Sequence, residues 1–248
     1  MSEAIKKLEN RNPKMAEMVK KLSETKGQLF DLSNLSYKED DSGYSLGFNE
    51  TKSWIYVDKD DVIRGESGGT GKEGCPLNEF FNGMKLLPNA TYKVNGGFEN
   101  AGVDYYTDFE GRTCKYKANI TDMTRSKIEI SKPHDPTKEM VRQDIQDYDA
   151  GHLVAKRFKG CNCAINIVAM PASVNRSGGD WCNFEEEVDK LVKAGKNVII
   201  EGEIKYEEPN PKIVTSIKLR CNVDKEIKNK EIDFKKYRKG LGEINIKH

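Results

Sequence analysis

Histidine is nearly absent. His134, His152 and His248 are the only three in 248 residues. Cysteine is sparse and scattered: Cys75, Cys114, Cys161, Cys163, Cys182 and Cys221 include no C-x-x-C pair, which argues against a zinc ribbon or a thioredoxin-like site. No run of about 18 apolar residues occurs, so no membrane span is expected. The first 27 residues contain no apolar core of the secretory-signal kind. Two readings of location stay open: a cytoplasmic protein with reduced thiols, or one exported by a route that needs no cleaved signal peptide, where disulfides can form. The formal charge is only +1, so the chain as a whole has no nucleic-acid signature and any such patch must be local. From Lys205 onward, twelve Lys and Arg face seven Asp and Glu. The stretch "FKKYRKG" (234–240) interleaves basic and aromatic residues there. It reads either as a phosphate-contacting patch or as a solvated surface strand or tail.

"RGESGGTGKEG" (64–74) has the look of a phosphate-binding loop, but Glu66 stands where a glycine is needed and Glu73 where Ser or Thr is needed. Two carboxylates would repel phosphate, so a loop or domain boundary near 64–78 is the expectation. Pro13 opens an amphipathic helix over 14–25, with Met15, Met18, Val19 and Leu22 at helical spacing. Residues 26–50 read as turn formers with the acidic cluster "KEDDSG". "KSWIYV" (52–57) alternates as a strand. "NATYKVNGG" (89–97) and "GVDYYTDFEGRTCKYKANI" (102–120) read as strands, the second broken into a hairpin at "EG". "SKIEIS" (126–131) reads as a strand, 135–149 as a short helix behind Asp135 and Pro136, and "CAINIVAM" (163–170) as a buried strand. Phe184, Val188, Leu191 and Val192 fall on one face of a helix over 181–197, with Gly195 just past its end. Residues 197–207 and 211–223 alternate as strands joined by "EPNP". The class is α+β with mixed or antiparallel strands.

"DYDAGHLVAKRF" (147–158) places His152 in front of an apolar stretch. A lone histidine there is either a hydrogen-bonded core residue or a reactive one. "GHLVAKRF" reads as a strand starting at the histidine; "AINIVAMP" follows, and "ASVNRSGGDW" leads into the helix. This strand, strand, helix order resembles the DNA/RNA non-specific endonucleases of the ββα-metal (His-Me finger) superfamily. The D-x-G-H-L-[IV]-A signature is matched by Asp149, Gly151, His152, Leu153, Val154 and Ala155, and "INIVAMPASVNRSGGDW" is similar to the family's next segment. "LLPNATYKVNGG…YYTDFEGRT" is similar to the lead-in of a bacterial toxin-type subgroup. The resemblance spans 86–232. It implies a ββα-metal nuclease core on a mixed or antiparallel sheet, with an N-terminal helical extension. The expected organisation is 1–80 as an extension of unassigned role and 81–248 as the nuclease domain.

What the resemblance implies for chemistry is specific. His152 would be the general base that takes a proton from water. Asn175 would be the single protein ligand of one divalent ion, magnesium or manganese. Glu185, four after Trp181, would hold a water of that ion. Asn166 would buttress the site, and Asp149 would orient the loop or a water. Lys156 or Arg157 would meet phosphate, strand alternation admitting only one of them. Ala150 stands where some members carry a phosphate-contacting arginine, so Arg142 or Arg176 would substitute. The interval from Asn175 to Trp181 is looser than in better-studied members by about two residues, through "SGGD". Plainer readings remain beside these: Asn175 as a helix cap, Glu185 as one of an exposed "EEE" run, His134 and His248 as bystanders, and Cys161 and Cys163 as small loop residues or half of a disulfide or metal pair. The implied partners are DNA, RNA or both and, for a toxin or effector, an immunity protein. The competing functions are a decayed nuclease scaffold acting as a binding module, and a thiol enzyme pairing Cys161 or Cys163 with His152.

Overall fold

The computed structural model describes residues 2–26, 31–48, 53–66, 86, 88–94, 102–125, 147–160, 164–207 and 213–237. The chain opens with helices α1 (Glu3–Arg11) and α2 (Pro13–Lys26). The Ser2 side chain caps α1 by accepting from the Ile5 amide, and Asn12 begins α2 by accepting from the Met15 amide at 3.0 Å. Ile5, Leu8, Met15 and Val19 are fully buried, so this helical pair docks through one apolar face. The sequence expectation found α2; it missed α1, which is short and rich in charge.

Ten strands form one sheet: β1 (Leu35–Asp40), β2 (Gly43–Phe48), β3 (Ser53–Asp58), β4 (Ile63–Glu66), β5 (Thr91–Val94), β6 (Val103–Thr107), β7 (Thr113–Asn119), β10 (Val198–Tyr206), β11 (Val214–Val223) and β12 (Glu226–Asp233), in that order across the sheet. All pairs are antiparallel except β4 with β5. The mixed, mainly antiparallel α+β class is therefore as expected. Residues 35–48 correct the turn-and-cluster expectation. The acidic cluster is the turn of a hairpin, and Tyr44 and Leu46 turn inward from β2 on alternate positions. The hairpin expected at "EG" is the β6–β7 turn, where the Asp108 carboxylate accepts from the amides of Glu110 and Arg112 at 2.9 Å each. The boundary expected near residue 80, "SKIEIS", residues 135–146 of the expected helix, "EPNP", Arg142, His134, His248, Cys161 and Cys163 lie outside the described residues. Two expectations are corrected at their edges: Tyr148 and Asp149, placed in that helix, begin a strand, and Arg64–Glu66, placed in a loop, belong to β4.

The short helix α3 (Ile120–Arg125) follows β7. A second, two-stranded antiparallel unit stands apart from the ladder: β8 (Tyr148–His152) and β9 (Ile167–Pro171), with Asp149 opposite Met170 and His152 opposite Ile167. Helices α4 (Ala172–Asn175) and α5 (Asp180–Lys193) follow β9 directly. Among the described residues one backbone bridge, Ala169 to Ile213 just ahead of β11, links the unit toward the large sheet. Trp181, Phe184 and Val188 bury the inner face of α5, as the apolar spacing required; burying each such side chain stabilises by roughly 1.5–3 kcal/mol. Gly195, at φ +78°, closes the helix.

Candidate active site

The site unit is built on β8, β9, α4 and the first turns of α5. The sequence expectation began a strand at His152; the strand instead ends there. Leu153, Val154, Ala155 and Phe158 are all buried, so the run does not alternate. It leaves the ladder because Asn166 captures it. The Asn166 carbonyl oxygen accepts from the Val154 amide at 2.9 Å, and its Nδ2 donates to the Val154 carbonyl at 3.0 Å. The Leu153 amide donates to the Asn166 backbone carbonyl at 2.9 Å. A wholly buried asparagine thus satisfies both polar groups of a buried peptide segment, which is costly to leave unpaired. Gly160 permits the approach: a Cβ there would stand 1.8 Å from the Val154 carbonyl oxygen. The Thr113 hydroxyl pins the far side of the loop, donating to the Ile165 carbonyl at 2.7 Å.

The chain then makes a 3-10 turn, Lys156–Phe158. Because this is a turn and not a strand, Lys156 and Arg157 are both exposed, which corrects the expectation that only one could face outward. Arg157 Nη2 lies 3.6 Å from Glu185 Oε2.

Asn175 is the last residue of α4, four residues short of the cap of α5, and does not start the long helix. The intervening turn is tight: a Cβ on Gly179 would meet the Val174 carbonyl oxygen at 2.2 Å, so the glycines of "SGGD" serve this reversal. Asn175 Nδ2 donates to Asp149 Oδ2 at 3.3 Å. Arg176 holds the same carboxylate by two bonds, Nε to Oδ2 at 3.0 Å and Nη2 to Oδ1 at 2.9 Å. Arg176 is 71% exposed, so this bidentate pair contributes little to stability. Its effect is on orientation: Asp149 on β8 ties down the end of α4.

An ionised carboxylate only accepts, so the Asn175 amide must turn its nitrogen to Asp149 and keep its carbonyl oxygen for another partner. That oxygen suits a hard divalent cation that retains most of its own waters. Among the described residues no three His, Cys, Asp or Glu side chains gather as a metal cage, so the donor set offered is a sparse one. His152 is half-buried at the end of β8.

Glu185 is mostly buried on α5. Trp181 Nε1 donates to its Oε1 at 3.0 Å. Burial pushes its carboxyl pKa up, while Arg157 and the Trp181 bond pull it back. The fully buried Tyr116 hydroxyl on β7 is also held up, by burial first and by the Glu185 charge second. Glu185 is therefore not one of an exposed run: Glu186 and Glu187 are exposed, and it is not. Burial likewise raises the thiols of Cys114, Cys182 and Cys221, which opposes nucleophilic use of any of the three. Sequence reasoning missed the Asp149–Arg176 bridge and the Trp181–Glu185 bond. The i, i+4 spacing of the second was a signal that could have found it.

A two-stranded antiparallel unit backed by a helix, with a histidine at a strand end and an asparagine tied to the same strand, defines the class of site. The model of the family described as DNA/RNA non-specific endonuclease matches residues 88–225, over half of the chain, and the chain belongs to that family. It is 34% identical over 167 residues to the type VII secretion system protein EssD of Staphylococcus aureus strain USA300, and to that of strain NCTC 8325. The match takes in 66% of this chain and 25% of each relative, so the chain spans about a quarter of the length of the curated relatives it matches. Among solved structures, NucA from Streptococcus agalactiae with magnesium ion bound is similar at 15% identity and a TM-score of 0.46, over 82% of this chain and 85% of that one. Sda1 nuclease with bound zinc ion is similar at 13% identity and a TM-score of 0.39, over 59% and 84%.

Proposed function

We propose that the chain is a metal-dependent endonuclease that hydrolyses phosphodiester bonds of DNA, RNA or both with little sequence preference. The observation that carries this reading is the Asp149 tie, which fastens α4, ending in Asn175, to β8, ending in His152. His152 is the general base: its neutral imidazole takes a proton from the water that attacks phosphorus, and the bond to the leaving sugar oxygen breaks. Asn175 would hold the divalent ion, magnesium or manganese, through its side-chain oxygen, and the ion would supply neutralisation of charge on the phosphate. Asp149 and Asn166 are positioning residues, one for Asn175 and one for the loop after His152. Lys156, Arg157 and Arg176 face solvent around the unit and meet phosphate oxygens, with Arg157 steered by Glu185. Arg142 is proposed with them on sequence alone. Backbone contacts position a substrate without reading its bases, so weak sequence preference follows.

The relatives' name supports a biological setting. We place the chain as the nuclease portion of an exported bacterial toxin or effector, restrained in its producer by an immunity protein, with residues 1–80 as an extension and 81–248 as the nuclease domain. No helix among the described residues is long and apolar enough to cross a membrane.

The test is incubation of the purified chain with supercoiled plasmid and with total RNA, with magnesium or with EDTA. Magnesium-dependent loss of either substrate is expected. Binding of nucleic acid with no cutting under any metal would overturn the reading in favour of a decayed scaffold. Cutting that ignores EDTA and stops on thiol alkylation would overturn it in favour of thiol chemistry.

A further inference from the structure

Several cations on the outer face of the large sheet have a carboxylate within 4 Å. Lys117 lies 3.2 Å from Glu201, Arg220 lies 3.7 Å from the same residue, and Lys115 lies 4.0 Å from Glu203. The groove across that face, lined among others by Lys115, Glu203, Lys218 and Glu231, alternates sign from strand to strand. At the far end of α5 the pattern repeats, with Lys193 on Asp189 at 2.6 Å and Lys196 on Asp224 at 2.8 Å.

The 3-10 turn that follows β12 (Phe234–Tyr237) is different. Phe234 is fully buried and anchors it. Asp233 caps it by accepting from the Lys235 amide at 2.9 Å. The turn packs against α4 and β9, the two elements that carry Asn175 and back β8. Lys235 and Lys236 are exposed on it, and neither forms an ion pair with a described residue. Ala150, which leaves the site unit short of one cation, pairs with Ala169 on β9, the strand this turn packs upon. Two cations therefore sit on an anchored turn beside the site unit, and among the described residues neither has a carboxylate to give up before meeting an anion.

We propose that Lys235 and Lys236 form a backbone-phosphate subsite that extends the nuclease site. They hold a nucleic acid by phosphates outside the scissile one and take no part in the chemistry. This rests on the nuclease reading for its purpose but not for its binding. Neutralising phosphates releases condensed counterions, so each contact adds about 0.9 to the slope of log affinity against log salt on duplex DNA.

The experiment measures binding of a labelled duplex by fluorescence anisotropy across a salt series, in the His152→Ala background so that nothing is cut. The Lys235→Gln, Lys236→Gln double variant is expected to lower the slope by about 1.8, two contacts at about 0.9 each. Lys235→Arg with Lys236→Arg should keep the slope, and Lys115→Gln with Lys218→Gln on the charge-balanced face should leave it unchanged. In the active background, the Gln pair should raise KM for plasmid. An unchanged slope in the Gln pair, or an equal drop in the Lys115 and Lys218 control, would overturn the subsite. If the parent chain cuts nothing but the Gln pair still lowers the slope, the nuclease reading fails and the subsite stands. If the parent cuts and the slope does not move, the subsite alone fails.

Discussion

The ten-stranded sheet and the two-stranded unit beside it are held together by different forces. In the sheet, side chains alternate. On β6, Val103, Tyr105 and Thr107 point inward while Asp104 and Tyr106 do not, and the outer face of its neighbours is laced with cross-strand ion pairs. Such strands are stabilised by burial, and their exposed charges contribute little. In the β8–β9 unit, by contrast, the geometry depends on side chains that bond to backbone or to one another: Asn166 to Val154, Thr113 to Ile165, and Asp149 to Asn175 and Arg176. Burial in one shared core stabilises both regions, and the polar side-chain bonds add orientation in the second. A substitution in the second region should therefore disturb activity out of proportion to its effect on folding, unless it leaves a buried peptide group unpaired.

Asn166→Ala is the exception that sharpens the contrast. It strands the Val154 N–H and C=O in a buried loop, a cost of about 3 kcal/mol and a fall in Tm of roughly 10 °C, with activity lost in parallel. Calorimetry of the variant checks this, and a Tm within a degree or two of the parent would remove Asn166 from the frame of the site.

Asp149→Asn should do the reverse. Stability changes little because its arginine partner is largely exposed, while cleavage falls because α4 is released. The bidentate partner also predicts that Arg176→Lys is not neutral, since a lysine cannot hold both carboxylate oxygens. Equal losses in Tm and in rate for Asp149→Asn would blur the two regions into one.

Glu185 gives a pH test. Its folded-state pKa is raised, so between its ordinary value and the raised one the unfolded chain ionises first. Stability from this group is therefore greatest below that window and falls as pH rises through it. Glu185→Gln should be more stable than the parent near about pH 7, and the gain should vanish near about pH 3, where the acid is protonated in both states. Melting curves at the two values decide it. A variant less stable at neutral pH would mean that the Arg157 attraction outweighs burial. The smallest effect is expected on the sheet face, where Lys117→Gln should shift stability by less than about 0.5 kcal/mol.

What the sequence announced and what it concealed divide along the same line. Strands with a buried and a wet face, such as β10 and β11, and the amphipathic α2 and α5, showed their period directly. β12 did not, because its first six residues are all exposed, Ile227 included, and Ile232 is the first to turn inward. α1 was hidden because nine residues hold only two buried positions. The run after His152 misled for the opposite reason: Leu153, Val154 and Ala155 are all apolar, and nothing in its own residues says that a side chain twelve positions on will pull it out of the ladder. His152, Asn175 and Glu185 were identifiable as residue types at a spacing. The Asp149–Arg176 bridge was not, because it joins residues 27 apart whose meeting depends on β8 lying beside α4.

The measurement closest to the central claim is plasmid and RNA cleavage by the parent chain and by His152→Ala, side by side in magnesium, with and without added imidazole. His152 is half-buried, so its removal should leave the melting curve in place. Loss of a general base should slow cleavage about 10²–10⁴-fold. Imidazole should restore part of the rate, more so as pH rises and the free base accumulates. Parent-like cutting by His152→Ala would contradict the account.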